Sequence, residues 1–147
     1  MYKHILIPTD GSKLSESAVK DGVSLAAALG ARVTALFVAP PATPVVYEQH
    51  LPVGYMTPDD HAAMIAHASA RCLGAVEKAA AAAGVRCDSL SLTGDFPADA
   101  IVQTAAKRKC DLIVMASHGR RGVAALLLGS ETQKVLAHAK VPVLVHR

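Results

Sequence analysis

Two glycine-bearing turns hold the residues best suited to gripping an anion. Gly119 follows the apolar run Leu112 to Ala116, and Gly129-Ser130 opens a helical stretch further on. Glycine lets backbone N–H groups come close to a ligand, and a helix N-terminus adds partial positive charge, so the pair suits a phosphate. Arg120 and Arg121 put cations beside the first turn. A triphosphate could take hydrogen bonds from the N–H groups near Gly119 and from Ser130 to Thr132. Asp10, at the exit of the first apolar run, could accept hydrogen bonds from a ribose or an adenine edge. Each feature also has a plainer reading. Gly119 makes a tight turn, Ser130 with Gln133 forms an S-x-x-Q capping box, and Asp10 caps a helix.

Other chemistries lack their residues. No G-x-x-x-x-G-K-[ST] loop supplies a phosphate-binding lysine, and no G-x-G-x-x-G follows the first strand. G-x-S-x-G is absent, so an α/β-hydrolase serine has no support. Ser117 and His118 could imitate a nucleophile and base, but adjacent residues in a turn usually point apart. The seven histidines are scattered, and His61 and His67 do not share a helical face. The three cysteines, Cys72, Cys87 and Cys110, lack metal-site spacing and read as buried, reduced thiols. The metal role left is a Mg²⁺ ion carried on bound phosphates, helped by Asp10.

The elements that must position these turns alternate. Lys3 to Pro8 reads as a strand; Leu14, Ala18, Gly22, Leu25, Ala26 and Leu29 then recur at helical spacing, and Gly30 follows as a C′ residue. Ala31 to Ala39 is the second strand. Five prolines in the nineteen residues 40–58 make a loop, either a lid over the site or a surface excursion or dimer contact. A helix runs from Asp59 to Gly84, and Val85 to Thr93 is a half-polar third strand suited to a sheet edge. A helix from Pro97 ends on Lys107-Arg108-Lys109. Cys110 to Ala116 is a central fourth strand, Ser130 to His138 a last helix, and Val141 to His146 a fifth strand.

This alternation predicts one α/β domain over residues 1–147, with a parallel sheet covered by helices on both faces. The crossover rules favour strand order 3-2-1-4-5, a Rossmann-like arrangement. Its switch point falls between the first and fourth strands. Ligands should bind beyond their carboxyl ends, at Pro8-Thr9-Asp10 and Met115 to Gly119.

Net charge is +3, with 52% apolar and only 3% aromatic residues, so an aliphatic core and a small anionic ligand fit better than nucleic acid. No apolar run approaches the ~20 residues that span a bilayer. The start MYKHILIPTDG turns polar before a signal-peptide core develops. Cytoplasmic residence, with no membrane contact, is the default expectation.

From KHILIPTDGS to VPVLVHR the chain resembles the universal stress protein family, single-domain and of the ATP-binding branch. That branch carries glycine, two residues, glycine, nine residues, then Gly-Ser or Gly-Thr. Here Ala116-Ser117-His118-Gly119 stands at the first part, and Arg120 to Leu128 lead to Gly129-Ser130. The spacing matches, with Ala116 in place of the first glycine. The resemblance implies the fold of the adenine nucleotide alpha hydrolase-like proteins. It also implies ATP as ligand: Pro8, Thr9, Asp10 and Val38 would hold adenine and ribose, Val38 through its backbone. Met115, Ala116 and His118 would line the ribose side, and Gly119, Gly129, Ser130, Glu131 and Thr132 would wrap the phosphates. Glu131 departs from the pattern by bringing a carboxylate to a helix N-terminus, where it would occupy part of the field a phosphate uses.

The resemblance further implies a homodimer formed by pairing the last strands antiparallel, through Val141, Val143 and Val145. The function expected is a nucleotide-binding sensor or regulator in a stress response. No catalytic residue is assigned, and any ATPase activity should be slow because no base or arginine finger is evident. The competing expectation is a nucleotide-free, dimeric protein-interaction module of the same fold. A hydrolase would require His118 and Asp10 to converge on a substrate.

Overall fold

Side chains alternate along a strand, so Ile5 and Ile7 lie on one side of the first strand and Leu6 on the other. All three are fully buried, and such a strand needs cover on both faces. The computed structural model describes residues 1–41, 56–119 and 127–147 and supplies that cover. Its elements run β1 (His4–Pro8), α1 (Lys13–Leu29), β2 (Arg32–Ala39), α2 (Pro58–Ala82), β3 (Cys87–Thr93), α3 (Pro97–Arg108), β4 (Leu112–Ala116), α4 (Ser130–His138) and β5 (Val143–His146). The strands are parallel, in the order β3-β2-β1-β4-β5. The half-polar β3 lies at an edge, as its composition requires.

Each face has its own core. Ile5, Ile7, Val33, Ala35 and Val114 pack with Val23 and Ala26 of α1 and Leu73 and Val76 of α2. Leu6, Leu36, Ile113 and Met115 pack on the other side with Ile101 and Ala105 of α3 and Val135 of α4. Burying each such aliphatic side chain contributes about 1.5–3 kcal/mol. At the amino end of the sheet, Asp111 accepts the N–H groups of Lys3 (2.9 Å) and His4 (3.0 Å), fastening β4 to β1.

Three strands begin later than the apolar pattern predicts, for one reason. Ala31 N–H returns to Ala26 O (2.9 Å), Val85 to Ala80 O (2.8 Å) and Cys110 to Ala105 O (2.8 Å). Each follows a residue with positive φ: Gly30 at 64°, Gly84 at 67° and Lys109 at 55°. These apolar residues close the preceding helix by a Schellman-type bond and are buried there. β5 likewise starts at Val143, so Val141 lies outside it. Pro142 has no N–H to enter the ladder, although its carbonyl accepts Ile113 N–H (3.0 Å).

Pro58 belongs to α2 rather than to the proline-rich loop, beneath a capping box of Thr57 and Asp60. The lid or dimer-contact role expected of residues 40–58 rests mostly on residues 42–55, which lie outside the described residues, as do Arg120 and Arg121. The cysteines carry no disulfide. Cys72 and Cys110 are buried as expected, whereas Cys87, near the start of the edge strand, is only half-buried.

Candidate functional site

β1 and β4 part company before they end. Their registered pairs are Ile5 with Leu112 and Leu6 with Ile113, whereas β1 pairs with β2 through all of His4–Pro8. His4 O accepts Asp111 N–H and Thr9 N–H donates to Leu36 O. The strand's alternation therefore turns Pro8 towards β4, where proline offers no donor. The ladder stops here, at the switch point where sheets of this order have their crevice. By the same alternation Leu36 faces β1, and so does Val38, two residues on, whose N–H and C=O lie past the last rung.

The turn after β1 is tied down by hydroxyls. Ser15 Oγ donates to Thr9 Oγ1 (2.8 Å), and Gly11 N–H donates to the same oxygen (3.3 Å). Asp10 Oδ1 accepts Ser12 N–H (2.9 Å). The cap of α1 is Ser12, which accepts Ser15 N–H (3.2 Å). Capping thus falls to Ser12, not Asp10. Asp10 Oδ2 lies against Gly119, where a Cβ would stand 2.6 Å from it. The exits of β1 and β4 touch.

The start of α4 is bound to the same place. Gly129 N–H donates to Ser117 O (2.7 Å), and Thr132 Oγ1 donates to Ala116 O (3.0 Å). A Cβ on Gly129 would come within 3.1 Å of His118 Cα. The expected capping box does not form. Gly129 is the N-cap residue, without a side-chain cap, and Gln133 Nε2 donates instead to Leu128 O (2.7 Å). Ser130 is the first helical residue. The N–H groups of α4's first turn therefore meet the crevice without a side-chain cap among the described residues.

Pro8, Thr9, Asp10, Ala116, His118, Gly119, Gly129, Ser130 and Thr132 converge here, with the Val38 main chain on the far side of β1. Two candidates are oriented differently. Met115 is buried in the α3/α4 core, so its side chain does not line the crevice. Glu131 sends its carboxylate to α3, where Oε2 accepts Ala98 N–H (2.9 Å). Glu131 stays in the first turn of α4, as expected, but one carboxylate oxygen is engaged by α3.

Ser117 and His118 do not point apart as adjacency suggests: Ser117 Oγ and His118 Nδ1 are 3.2 Å apart. Ser117 is buried, however, and its N–H donates to His146 O (2.7 Å). Ser12 and Ser15 also shape the site, a role the sequence reading did not assign them. The S-x-x-S spacing of Ser12 and Ser15 was their signal. No cluster of His, Cys, Asp or Glu able to hold a metal occurs among the described residues.

His4, Cys87 and Cys110, whose ionisation the fold shifts, lie at the opposite, amino end of the sheet. Burial, reinforced by Arg32, lowers the His4 pKa. Burial pushes the Cys110 thiol up to about 11 and also raises Cys87. These thiols remain protonated and belong to the scaffold.

The family model for the universal stress protein family matches residues 1–147. The chain belongs to that family. It is 37% identical over 145 residues to universal stress protein MJ0531 of Methanocaldococcus jannaschii, covering 99% of this chain and 82% of the relative. It is 37% identical to the Thermus aquaticus universal stress protein from the QAH/OAS sulfhydrylase 3′ region, over the full length of both. Among solved structures, hypothetical protein MJ0577 superposes with a TM-score of 0.80 at 27% identity, covering 99% of this chain and 96% of that one. A universal stress protein crystallised in complex with cAMP gives 0.70 at 28% identity, covering 98% and 95%.

Proposed function

We propose that this chain is an adenine-nucleotide-binding sensor or regulator, with ATP as its ligand, and not a turnover enzyme. One observation carries the reading: the first turn of α4, uncapped by any described side chain, is fastened to the β4 exit and opens on the crevice beside Asp10. Phosphates would take the N–H groups of Ser130, Glu131 and Thr132 and of the Gly119 turn. Asp10 would accept from the ribose, and the Val38 main chain would read the adenine edge. The cAMP complex of a family member supports the ligand class. A Mg²⁺ ion would arrive on the phosphates, helped by Asp10.

The sensor would act as a cytoplasmic homodimer paired through β5. Val143 and Val145 are half-buried on that edge strand, and Leu144 is 40% exposed. A second reading, a nucleotide-free dimeric interaction module, is favoured by the tight packing of Gly119 on Asp10 and of Gly129 on His118, which the fold alone would need.

Denaturing freshly purified protein and identifying any released small molecule by mass spectrometry separates the two. In a thermal-shift titration, ATP at a hundredfold over its Kd should stabilise the fold by about 2.7 kcal/mol. A flat melting temperature into millimolar ATP would leave the interaction module standing.

A further inference from the structure

Glu131 is the residue whose charge fits a phosphate site least. It is the second residue of α4, and its carboxylate bridges that helix and α3. Oε2 accepts Ala98 N–H at 2.9 Å, and Oε1 meets Lys134 Nζ at 3.1 Å. Ala98 is the second residue of α3, whose N-cap residue Phe96 gives no side-chain cap and whose first residue, Pro97, has no N–H. Glu131 is therefore the cap of α3, delivered from a neighbouring helix, and Lys134 balances its charge.

The same turn of α4 is held from the other side. Gly129 N–H reaches Ser117 O, and Thr132 Oγ1 reaches Ala116 O. Between these anchors the first turn of α4 has little freedom to tilt. An anion that needs several N–H groups at once gains from such fixed geometry, because the cost of orienting them is met in folding.

We propose that Glu131 is a positioning residue for the anion site: by capping α3 it fixes the first turn of α4 against the crevice. This rests on the nucleotide reading above. A carboxylate that repelled phosphate would make the opposite prediction. The geometry favours positioning, since the carboxylate is engaged by an N–H group and a lysine away from α4's own donors.

The test compares Glu131→Gln with Glu131→Ala. The glutamine amide oxygen can still accept Ala98 N–H; alanine cannot. ATP affinity by calorimetry should fall roughly tenfold in Glu131→Ala, within the range by which a residue that does not touch the ligand couples to binding, and stay within about twofold of wild type in Glu131→Gln. Tighter ATP binding in both variants would show a repelling charge and overturn the proposal. A lower melting temperature with unchanged affinity in Glu131→Ala would overturn it as well, reducing Glu131 to a structural cap.

Amide exchange gives a readout without ligand. Gly129 N–H should exchange faster in Glu131→Ala and at the wild-type rate in Glu131→Gln. Equal protection in wild type and Glu131→Ala would sink the positioning role whatever ATP does. Wild-type protein that binds no nucleotide would sink the function proposed above, while the exchange comparison would still judge Glu131.

Discussion

Replacing Gly119 with alanine should separate binding from folding at the β4 exit. The new methyl would stand 2.6 Å from Asp10 Oδ2 and 3.7 Å from Asp10 Cγ, so the carboxylate must swing aside. Gly119 does not occupy the left-handed region, and the alanine backbone is unstrained. The fold loses the Ser12 N–H bond to Asp10 Oδ1, about 1.5 kcal/mol, the low end for a charged acceptor because both residues are only half-buried. It gains about 0.4–1 kcal/mol from a stiffer unfolded chain. The balance lies within about 1 kcal/mol of zero, at most about 4 °C in Tm for a chain of this size.

Binding should respond far more. A displaced Asp10 forfeits a charge-assisted hydrogen bond to the ribose, about 1.5–3 kcal/mol, which is roughly 10- to 150-fold in Kd. Calorimetric titration with ATP, beside a thermal melt of the same preparation, reads both quantities. Asp10→Ala should lose affinity by a similar factor, and the double variant should lose no more than either single one. Wild-type affinity in Gly119→Ala, or losses that simply add, would refute the idea that the glycine exists to seat Asp10.

Gly129→Ala should behave in the opposite way. Its methyl would press on His118 Cα at 3.1 Å and Ser117 O at 3.3 Å, backbone that cannot rotate away, so urea denaturation should report a loss of about 1–3 kcal/mol. His4 should make the fold acid-sensitive. Burial first, then Arg32, lowers its pKa from 6.5, while the Arg108 carbonyl, Asp111 and Asp88 pull the other way. The unfolded chain therefore protonates first. The stabilisation is complete above 6.5 and is lost as pH falls through the lowered folded value, so the urea midpoint should drop as pH falls below 6.5. A His4→Asn variant should flatten that slope. On β5, Leu144→Asp should convert a homodimer to monomer by light scattering without unfolding the chain, because Leu144 is already 40% exposed.

Strand order and the position of the crevice were legible because they depend on coarse signals. Continuous apolar runs at Ile5–Ile7 and Leu112–Met115 demand cover on two faces, and crossover handedness then limits the topology. Strand starts were less legible. Ala31, Val85 and Cys110 look like strand residues, but burial is equally available to a residue that closes a helix. Lys109 carries the turn that glycine carries elsewhere, so composition gave no warning. The capping box at Ser130 fails because Gly129 holds the N-cap position, Ser130 is already helical, and Gln133 turns to Leu128. The contact of Glu131 is illegible for a different reason: its partner, Ala98, is a backbone N–H distant in sequence, and no local pattern announces it.

The helix-closing bonds at Ala31, Val85 and Cys110 divide the domain into two ends with different tolerance for change. Each closes a helix within a residue or two of the next strand, so the amino end of the sheet has little slack and an inserted residue there would shift a whole strand's register. Both long connections, 40–57 and 117–129, leave from the carboxyl end. The described ends of the second carry crevice residues, Ser117 to Gly119 and Gly129, and loop entropy in general grows only slowly with length. A single scaffold of this kind can therefore be refitted for another ligand or partner at one end while the other keeps the strands in register.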